Sequence, residues 1–210
     1  MSPLVTWLLG HHMTSINIVE TQARRDASTR RTVLRSGACL LIAELIAKRA
    51  NGASPPLPTA DVSIEDFSSS GRSLGVALVP KIVRDDAEWQ RDLPQEAFII
   101  TRKAGTERAF SGAYWNLHAD GLYRCICCDT ALFDSATKFD SGTGWPSFWQ
   151  PISKKNITES TDHSYGMTRI AVSCRRCDAH LGHVFDDGPR PTGLRYCMNS
   201  NALHFVAKTS

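Results

Sequence analysis

The sequence has no long hydrophobic run and no strong excess of charge, and each absence excludes a class of protein. A membrane-spanning helix needs about 18 consecutive apolar residues, but the longest candidate, Gly37–Ala43, is stopped by Glu44. The net charge of the 210 residues is +3, and residues 1–53 alone carry +4, which leaves −1 for the rest of the chain. We therefore expect no membrane span, and the body offers no broad phosphate-binding face for a nucleic acid.

Residues 1–53 are predicted to be an export signal or, failing that, a disordered basic tail. The pair Arg30-Arg31 precedes a short hydrophobic stretch and resembles a twin-arginine signal. The apolar segment Gly37–Ile46 and the small residues Ala50–Ala53 then follow in the order of a signal peptide. Such a signal predicts a periplasmic protein, whereas a chain with only a basic tail would be cytoplasmic.

The remaining sequence divides into a linker and one folded domain. Residues 54–79 are predicted to be a flexible linker, because this part of the chain is rich in Ala, Ser, Pro and Gly. Residues 80–207 are predicted to form a mainly β domain that begins with two short helices, near Asp85 and Pro94. No βαβ rhythm is present, which excludes a doubly wound parallel sheet. The predicted strands are Leu122–Cys125, Ser147–Trp149, Met167–Val172, Leu194–Met198 and Leu203–Val206.

Four of the seven cysteines are predicted to hold a metal ion. Cys125 and Cys128 form one C-x-x-C pair, and Cys174 and Cys177 form another. A gap of two residues lets both thiolates of a tight turn point at one ion, and four thiolates are a tetrahedral set that zinc prefers. Two disulfides or a redox-active pair are the alternatives, but a thioredoxin-like pair belongs in a βαβ context. We therefore predict one structural Zn²⁺ without an open position for catalysis.

Apart from Cys39, the other cysteines are Cys127 and Cys197. Cys197 lies in a predicted strand, so Arg195 and Asn199, two residues to either side, share its face. A cation and an amide donor beside a thiol favour the thiolate and therefore a reactive cysteine. The alternative is that Cys197 is a buried, inert side chain, as strand cysteines commonly are.

Several motifs occur in one order along the domain. They are Gly144–Phe148 (GWPSF), Cys174–Phe185 (CRRCDAHLGHVF), Asp187–Pro189 (DGP) and Arg195–Ser200 (RYCMNS). Together they resemble the B-type methionine sulfoxide reductases, and the resemblance runs from about Pro80 to Val206. It implies two small antiparallel sheets, in the β-tent arrangement, with short N-terminal helices and a zinc site.

The resemblance also implies roles for individual side chains. Cys197 would be the nucleophile that attacks the sulfur of methionine-R-sulfoxide, and it would become a sulfenic acid. His180 and His183 would position the sulfoxide oxygen and help to protonate it, because oxygen leaves only after protonation. Asn199 and Arg195 would organise and polarise the nucleophile.

The substrate and the reductant follow from the same resemblance. Trp145 would receive the methyl group of the substrate, with Phe185 as a further wall, and the handedness of this apolar site would select the R epimer. The substrate would be methionine-R-sulfoxide in oxidised proteins, the reductant thioredoxin or a similar dithiol, and the chain a monomer.

Two positions depart from the common family pattern. Thr143 stands where the family usually has the cysteine that resolves the sulfenic acid into a disulfide, and Ala171 stands where it often has Glu. Cys127 is then the candidate resolving cysteine, and the alternative is direct reduction by an external thiol. A different class of function is a zinc-knuckle binding module on a degenerate reductase fold.

Overall fold

The computed structural model describes residues 60–209, which contain two helices and three antiparallel sheets. The predicted export signal or basic tail, residues 1–53, lies outside the described residues. The helices are α1 (Asp86–Asp92) and α2 (Gln95–Lys103). The strands, numbered in chain order, are β1 (Asp61–Phe67), β2 (Ser73–Pro80), β3 (Gly121–Cys125), β4 (Ala131–Asp134), β5 (Lys138–Phe139), β6 (Ser147–Phe148), β7 (Ile157–Asp162), β8 (Arg169–Cys174), β9 (His180–Phe185), β10 (Arg195–Met198) and β11 (Leu203–Ala207).

Two of the sheets make up the predicted domain. The larger has six strands in the order β5-β6-β10-β9-β8-β7, and the smaller has three in the order β11-β3-β4. Every described pair of strands is antiparallel. The prediction of a mainly β fold with antiparallel sheets and short leading helices is therefore confirmed. Among residues 60–209, no helix is long and apolar enough to cross a membrane.

The prediction of a flexible linker over residues 54–79 is wrong for the part that the structure describes. Strands β1 and β2 pair as a hairpin, which is the third sheet, while residues 54–59 lie outside the described residues. Ile64 and Phe67 of β1 are buried, and Phe67 packs with Leu122 and Ala131 of the three-stranded sheet. A composition rich in small residues conceals such long-range contacts, because two buried side chains are enough to anchor a hairpin.

One buried amide ties this hairpin to the domain. The side chain of Asn156 accepts a hydrogen bond from the Glu65 N–H at 2.8 Å and donates to the Glu65 carbonyl oxygen at 2.8 Å. It also donates to the carbonyl oxygen of Ala131 at 2.7 Å. Both polar atoms of the Asn156 side chain therefore hydrogen-bond to the backbone at the outer edge of β1.

The helices begin where the acidic residues of the sequence predict. The Asp85 side chain accepts from the Glu88 N–H, and the Glu88 carboxylate accepts from the Asp85 N–H, which is a complete capping box. The helix buries Trp89 against the core. Ala104, in the left-handed backbone region, ends α2 and turns the chain toward the cleft described below.

Aromatic side chains join the two larger sheets. Phe133 of β4 and Phe148 of β6 stack with their ring centroids 4.4 Å apart, and Tyr123 of β3 contacts Phe148 edge-on at 5.0 Å. Tyr196 and Met198, on either side of Cys197 in β10, are fully buried. The core therefore fixes β10 from behind and leaves the opposite face of that strand for Cys197.

Substitution of Asn156 by Ala is expected to lower the free energy of unfolding by about 2 to 4 kcal/mol, because it removes three hydrogen bonds and leaves buried backbone groups unpaired. Denaturant unfolding followed by tryptophan fluorescence measures this loss. Asn116→Ala, at an exposed position, is the control and should stay within about 0.5 kcal/mol of the wild type. Equal stability of both variants would contradict the anchoring role of Asn156.

Candidate active site

The pairing of neighbouring strands places the predicted catalytic side chains on one face. Cys197 of β10 lies directly opposite His183 of β9, and His183 lies directly opposite Ala171 of β8. Directly opposed residues of an antiparallel pair project from the same side of a sheet. Gly182 permits the close approach, since a Cβ there would lie 2.1 Å from the Cys197 carbonyl oxygen.

Cys197 opens into a small pocket of about 120 Å³. Trp145 and Phe185 form apolar walls, and His183 contributes a polar edge. The Trp145 ring is fixed because its indole Nε1–H donates to the Glu107 carbonyl oxygen at 3.1 Å. The structure thus brings together the predicted nucleophile, one predicted histidine and both predicted substrate-binding residues.

The environment of Cys197 acts on the thiol in opposing directions. Burial raises the pKa of the Cys197 thiol, while the Arg195 charge and the hydroxyls of Thr143 and Ser147 act to lower that pKa. The hydroxyl of Thr143 lies 4.0 Å from the sulfur. Since burial wins, the substrate-free protein holds a protonated thiol that already has its anion-stabilising neighbours in place.

Arg195 is held by partners of its own. Its Nε and Nη2 atoms donate to the two carboxylate oxygens of Asp187 at 2.8 and 2.7 Å, a bidentate arrangement that fixes the guanidinium plane. The guanidinium also lies 4.3 Å from the centroid of the Phe185 ring. Arg195 therefore supports a wall of the pocket as well as placing positive charge near Cys197.

Asn199, which was predicted to organise and polarise Cys197, lines the pocket and is hydrogen-bonded to neighbouring backbone. Its side-chain oxygen accepts from the Glu107 N–H at 3.0 Å, and its nitrogen donates to the Leu181 carbonyl oxygen at 3.1 Å. Within the described residues, both polar atoms thus bind backbone. The Glu107 carboxylate in turn accepts from the Ser200 N–H at 2.7 Å, which fixes the chain that follows Cys197.

The two predicted histidines lie together but in different electrostatic surroundings. Their ring centroids are 5.3 Å apart, and both side chains are buried. Burial, with the neighbouring His183 acting in the same direction, lowers the pKa of His180 to about 4. His180 is therefore neutral near pH 7. His183, by contrast, contacts the carboxylate of Asp162, with 2.8 Å between Nε2 and Oδ2.

A second, larger cleft of about 610 Å³ adjoins the pocket and shares Thr106, Arg169 and His183 with it. The turn between β7 and β8 forms its rim, where the ring of Tyr165 is exposed. His180 and Ala171 line the same cleft. The pocket has room for one side chain of a bound peptide, and the cleft beside it has room for the backbone of that peptide.

The four predicted metal ligands meet at the turns that follow β3 and β8. The sulfur atoms of Cys125, Cys128, Cys174 and Cys177 all lie within 4.8 Å of one another. The Cys125–Cys177 and Cys128–Cys174 sulfurs are 3.7 and 3.5 Å apart. A disulfide needs about 2.05 Å, whereas thiolates at about 2.3 Å from a tetrahedral zinc ion lie roughly 3.8 Å apart. The geometry therefore fits a metal ion and not two disulfides.

The two turns are built alike. Asp129 follows Cys128 and Asp178 follows Cys177, each in the left-handed backbone region. Their N–H groups donate to the carbonyl oxygens of Cys125 and Cys174, each at 2.9 Å. Each C-x-x-C segment is thus closed by the same backbone hydrogen bond, which turns both sulfurs inward.

Cys127 lies in the first of these turns and packs beside the core near Thr101 of α2. It is not among the residues that line the pocket of Cys197. The structure therefore does not bring the predicted resolving cysteine to the nucleophile.

Comparison with known proteins now adds to this geometry. The SelR domain family matches residues 93–207. The peptide methionine sulfoxide reductase MsrB of Synechococcus sp. (strain RCC307) is 58% identical over 122 residues, which cover 58% of this chain and 90% of that protein. The protein of the same name from Pseudomonas aeruginosa (strain UCBPP-PA14) is 56% identical over 130 residues, or 62% of this chain and 98% of the relative. The chain belongs to the MsrB family.

Membership of the MsrB family confirms the resemblance predicted from the motifs. The family match begins at residue 93, so the hairpin β1–β2 and helix α1 precede it. The relatives of the MsrB family given above are matched over almost their whole length.

Three side chains that make contacts at this site were not predicted from the sequence. They are Asp162, Arg169 and Glu107. Asp162 and Arg169 flank the turn between β7 and β8, and Glu107 lies outside any regular element. Asp162 and Arg169 lie seven residues apart and pair only because their strands form a hairpin. None of the three lies in a motif singled out in the sequence.

Replacement of Cys174 by Ser is expected to abolish metal retention and to lower the thermal unfolding midpoint by about 10 °C or more, since one of four ligands is lost. Cys127→Ser is the matched control, because it alters the same kind of side chain in the cluster region without removing a ligand. Elemental analysis and calorimetry of the purified proteins provide the measurement. Full metal content in Cys174→Ser would contradict the predicted ligand set.

Proposed function

We propose that this protein reduces methionine-R-sulfoxide in proteins or peptides to methionine, with Cys197 as the nucleophile. The observation that carries the proposal is the pocket in which the Cys197 thiol faces His183 between the apolar side chains of Trp145 and Phe185. The names of the MsrB relatives support the same reaction. Small volume, apolar walls and one polar edge suit a sulfoxide, which has two carbon substituents and one oxygen.

The geometry suggests how the substrate is oriented. The methyl group lies against the Trp145 ring, the sulfur faces Cys197, and the oxygen turns toward His183. Three fixed substituent positions around a pyramidal sulfur accept only one handedness, which is the basis of selection between epimers. The rest of the peptide then leaves the pocket through the adjoining cleft.

The chemical step transfers oxygen from the substrate to the cysteine. Cys197 sulfur attacks the sulfoxide sulfur, and a proton reaches the sulfoxide oxygen from the histidine side of the pocket. The protonated oxygen then bonds to the Cys197 sulfur while its bond to the substrate sulfur and the new S–S bond both break, which releases methionine. The net products are methionine and a sulfenic acid on Cys197, so the substrate is reduced and the thiol oxidised. A thiol reductant then restores Cys197, with release of water and formation of a disulfide in the reductant.

Recycling by an external thiol agrees better with the structure than recycling by Cys127. Thr143 occupies the position next to Cys197 where a resolving thiol would lie, with its hydroxyl 4.0 Å from the sulfur. Cys127 belongs to the turn of the metal cluster, so it could reach Cys197 only after that turn left its place. We therefore propose thioredoxin or a similar dithiol as the direct reductant, acting on a monomer, and resolution by Cys127 is the alternative.

The metal is proposed to be Zn²⁺, since four thiolates in a tetrahedral set are its preferred structural ligands. The ion would hold the turn after β3 to the turn after β8, and its closed ligand set leaves no position for the substrate. The twin-arginine signal stays a prediction, and a periplasmic location would require reducing equivalents to be supplied there.

The full chain, purified with zinc and dithiothreitol, is expected to release methionine from the R epimer of a methionine sulfoxide peptide and not from the S epimer. Cys197→Ser should lose all turnover, because its hydroxyl cannot replace the thiol as nucleophile and oxygen acceptor. Chromatography of the two separated epimers measures both. Folded, metal-loaded protein that turned over neither epimer would favour the alternative of a zinc-knuckle binding module.

Substitution Thr143→Cys is expected to create a resolving cysteine. After a single turnover without reductant, mass spectrometry should show one added oxygen on the wild type and the loss of two hydrogens in T143C, because a disulfide forms. Thr143→Ser is the matched control and should behave as the wild type. Loss of two hydrogens in the wild type itself, abolished by Cys127→Ser, would instead establish Cys127 as the resolving residue.

A further inference from the structure

The contact between Asp162 and His183 has no part in the chemistry described so far. The side chain of Asp162 comes from the end of β7, and its Oδ2 atom lies 2.8 Å from His183 Nε2. Both side chains are largely shielded, with 21% of Asp162 and 11% of His183 exposed. An imidazole and a carboxylate held this closely at the edge of a catalytic pocket form a directional, charge-assisted hydrogen bond.

We propose that Asp162 is the positioning residue that holds His183 as the proton donor to the sulfoxide oxygen. The inference rests on the proposed function, because it assigns the proton in that reaction to one of the two histidines. His180 makes no such contact and is neutral near pH 7. His183 contacts the Asp162 carboxylate and lies directly opposite Cys197.

The contact also determines which nitrogen of His183 is available. A carboxylate only accepts hydrogen bonds, so the proton of this contact lies on Nε2. Within the described part of the chain, Nδ1 has no hydrogen-bond partner. In the protonated ring Nδ1–H is therefore the free donor, and after transfer to the substrate oxygen the ring remains as the Nε2–H tautomer. The thiol proton of Cys197 balances this transfer and restores the imidazolium.

Asp162 is itself fixed in its ionised form. The Ser164 N–H donates to Oδ1 at 2.8 Å, and Arg169 Nη2 donates to Oδ2 at 2.9 Å. Hydrogen bonds from Ser164 and His183, aided by the charge of Arg169, hold the pKa of the Asp162 carboxyl well below its usual range. The carboxylate thus keeps its negative charge throughout the pH range in which a histidine titrates.

The charged groups that line the pocket and the cleft with His183 agree with this assignment. Asp162 of β7 is the anion, Arg169 of β8 is its counter-charge, His180 of β9 is neutral, and Cys197 of β10 supplies the proton. His163, at the rim of the cleft, hydrogen-bonds to the Thr168 hydroxyl at 3.2 Å rather than to His183.

Ala171, the second departure from the common family pattern, provides no carboxylate opposite His183. Ala171 lies directly opposite His183 and lines the same cleft, but its methyl group offers no charge. Among the described residues, Asp162 is therefore the carboxylate in contact with the ring.

Single-turnover release of methionine from the R-sulfoxide peptide, measured between about pH 5 and pH 9, tests the proposal in the full metal-loaded chain. Asp162→Asn is expected to lower the rate near neutral pH about 100-fold. The shape of its pH–rate profile should differ from that of the wild type, because the carboxylate that contacts the His183 ring is gone. Asp162→Ser is made in parallel, so that poor folding of one variant does not end the test.

The matched control is Asp120→Asn, which removes an exposed carboxylate that contacts Lys208 at 2.9 Å. It should keep the rate and the profile of the wild type. Nitrogen NMR of the histidine rings provides an independent readout. Neutral His183 should be the Nε2–H tautomer in the wild type and should lose this preference in Asp162→Asn.

A double-mutant cycle shows whether Asp162 acts through His183. In a His183→Gln background, the further change Asp162→Asn should alter the rate less than about twofold. Full additivity, or a slower Asp162→Asn enzyme with the wild-type profile and tautomer, would overturn the proposal. Absence of turnover in the wild type would instead refute the proposed function, so the two failures are distinguishable.

Discussion

The pairing of β9 with β10 is the constraint on which the rest of the site depends. It sets His183 opposite Cys197, and a slip of one residue would turn one of the two side chains into the core. Gly182 allows the two backbones to approach, and the buried residues Tyr196 and Met198 hold β10 from behind. Because the register is fixed by packing, the pocket is formed before any substrate arrives.

Much of this arrangement could be predicted from sequence because its determinants are local. The two C-x-x-C pairs fix their own turns, and the period of two along β10 places Arg195 beside Cys197. The capping box at Asp85 is likewise a contact between near neighbours. In each case a few consecutive residues contain the whole physical cause of the structure.

The parts that were missed depend on distant contacts. The hairpin β1–β2 is held by Asn156, which lies 91 residues after Glu65 in the sequence. Asp162 meets His183 across an intervening strand, and its neighbours in sequence give no indication of that meeting. The distinction between His180 and His183 is also invisible in the motif, because burial and a carboxylate from another strand create it.

The hydroxyl surroundings of Cys197 have a consequence for the life of the oxidised protein. Thr143, Ser141 and Ser147 form a connected group of hydroxyls beside the sulfur, and none of them can form a disulfide with an oxidised cysteine. On the proposed chemistry, the oxidising equivalent is not stored in an internal disulfide. The sulfenic acid must meet a partner thiol before it meets a second oxidant, since further oxidation to the sulfinic acid is irreversible without a dedicated rescue enzyme. The lifetime of the active enzyme under oxidative stress then depends on two rates in the surrounding compartment. One is the rate at which the sulfenic acid meets a reducing thiol, and the other is the rate at which it meets a second oxidant.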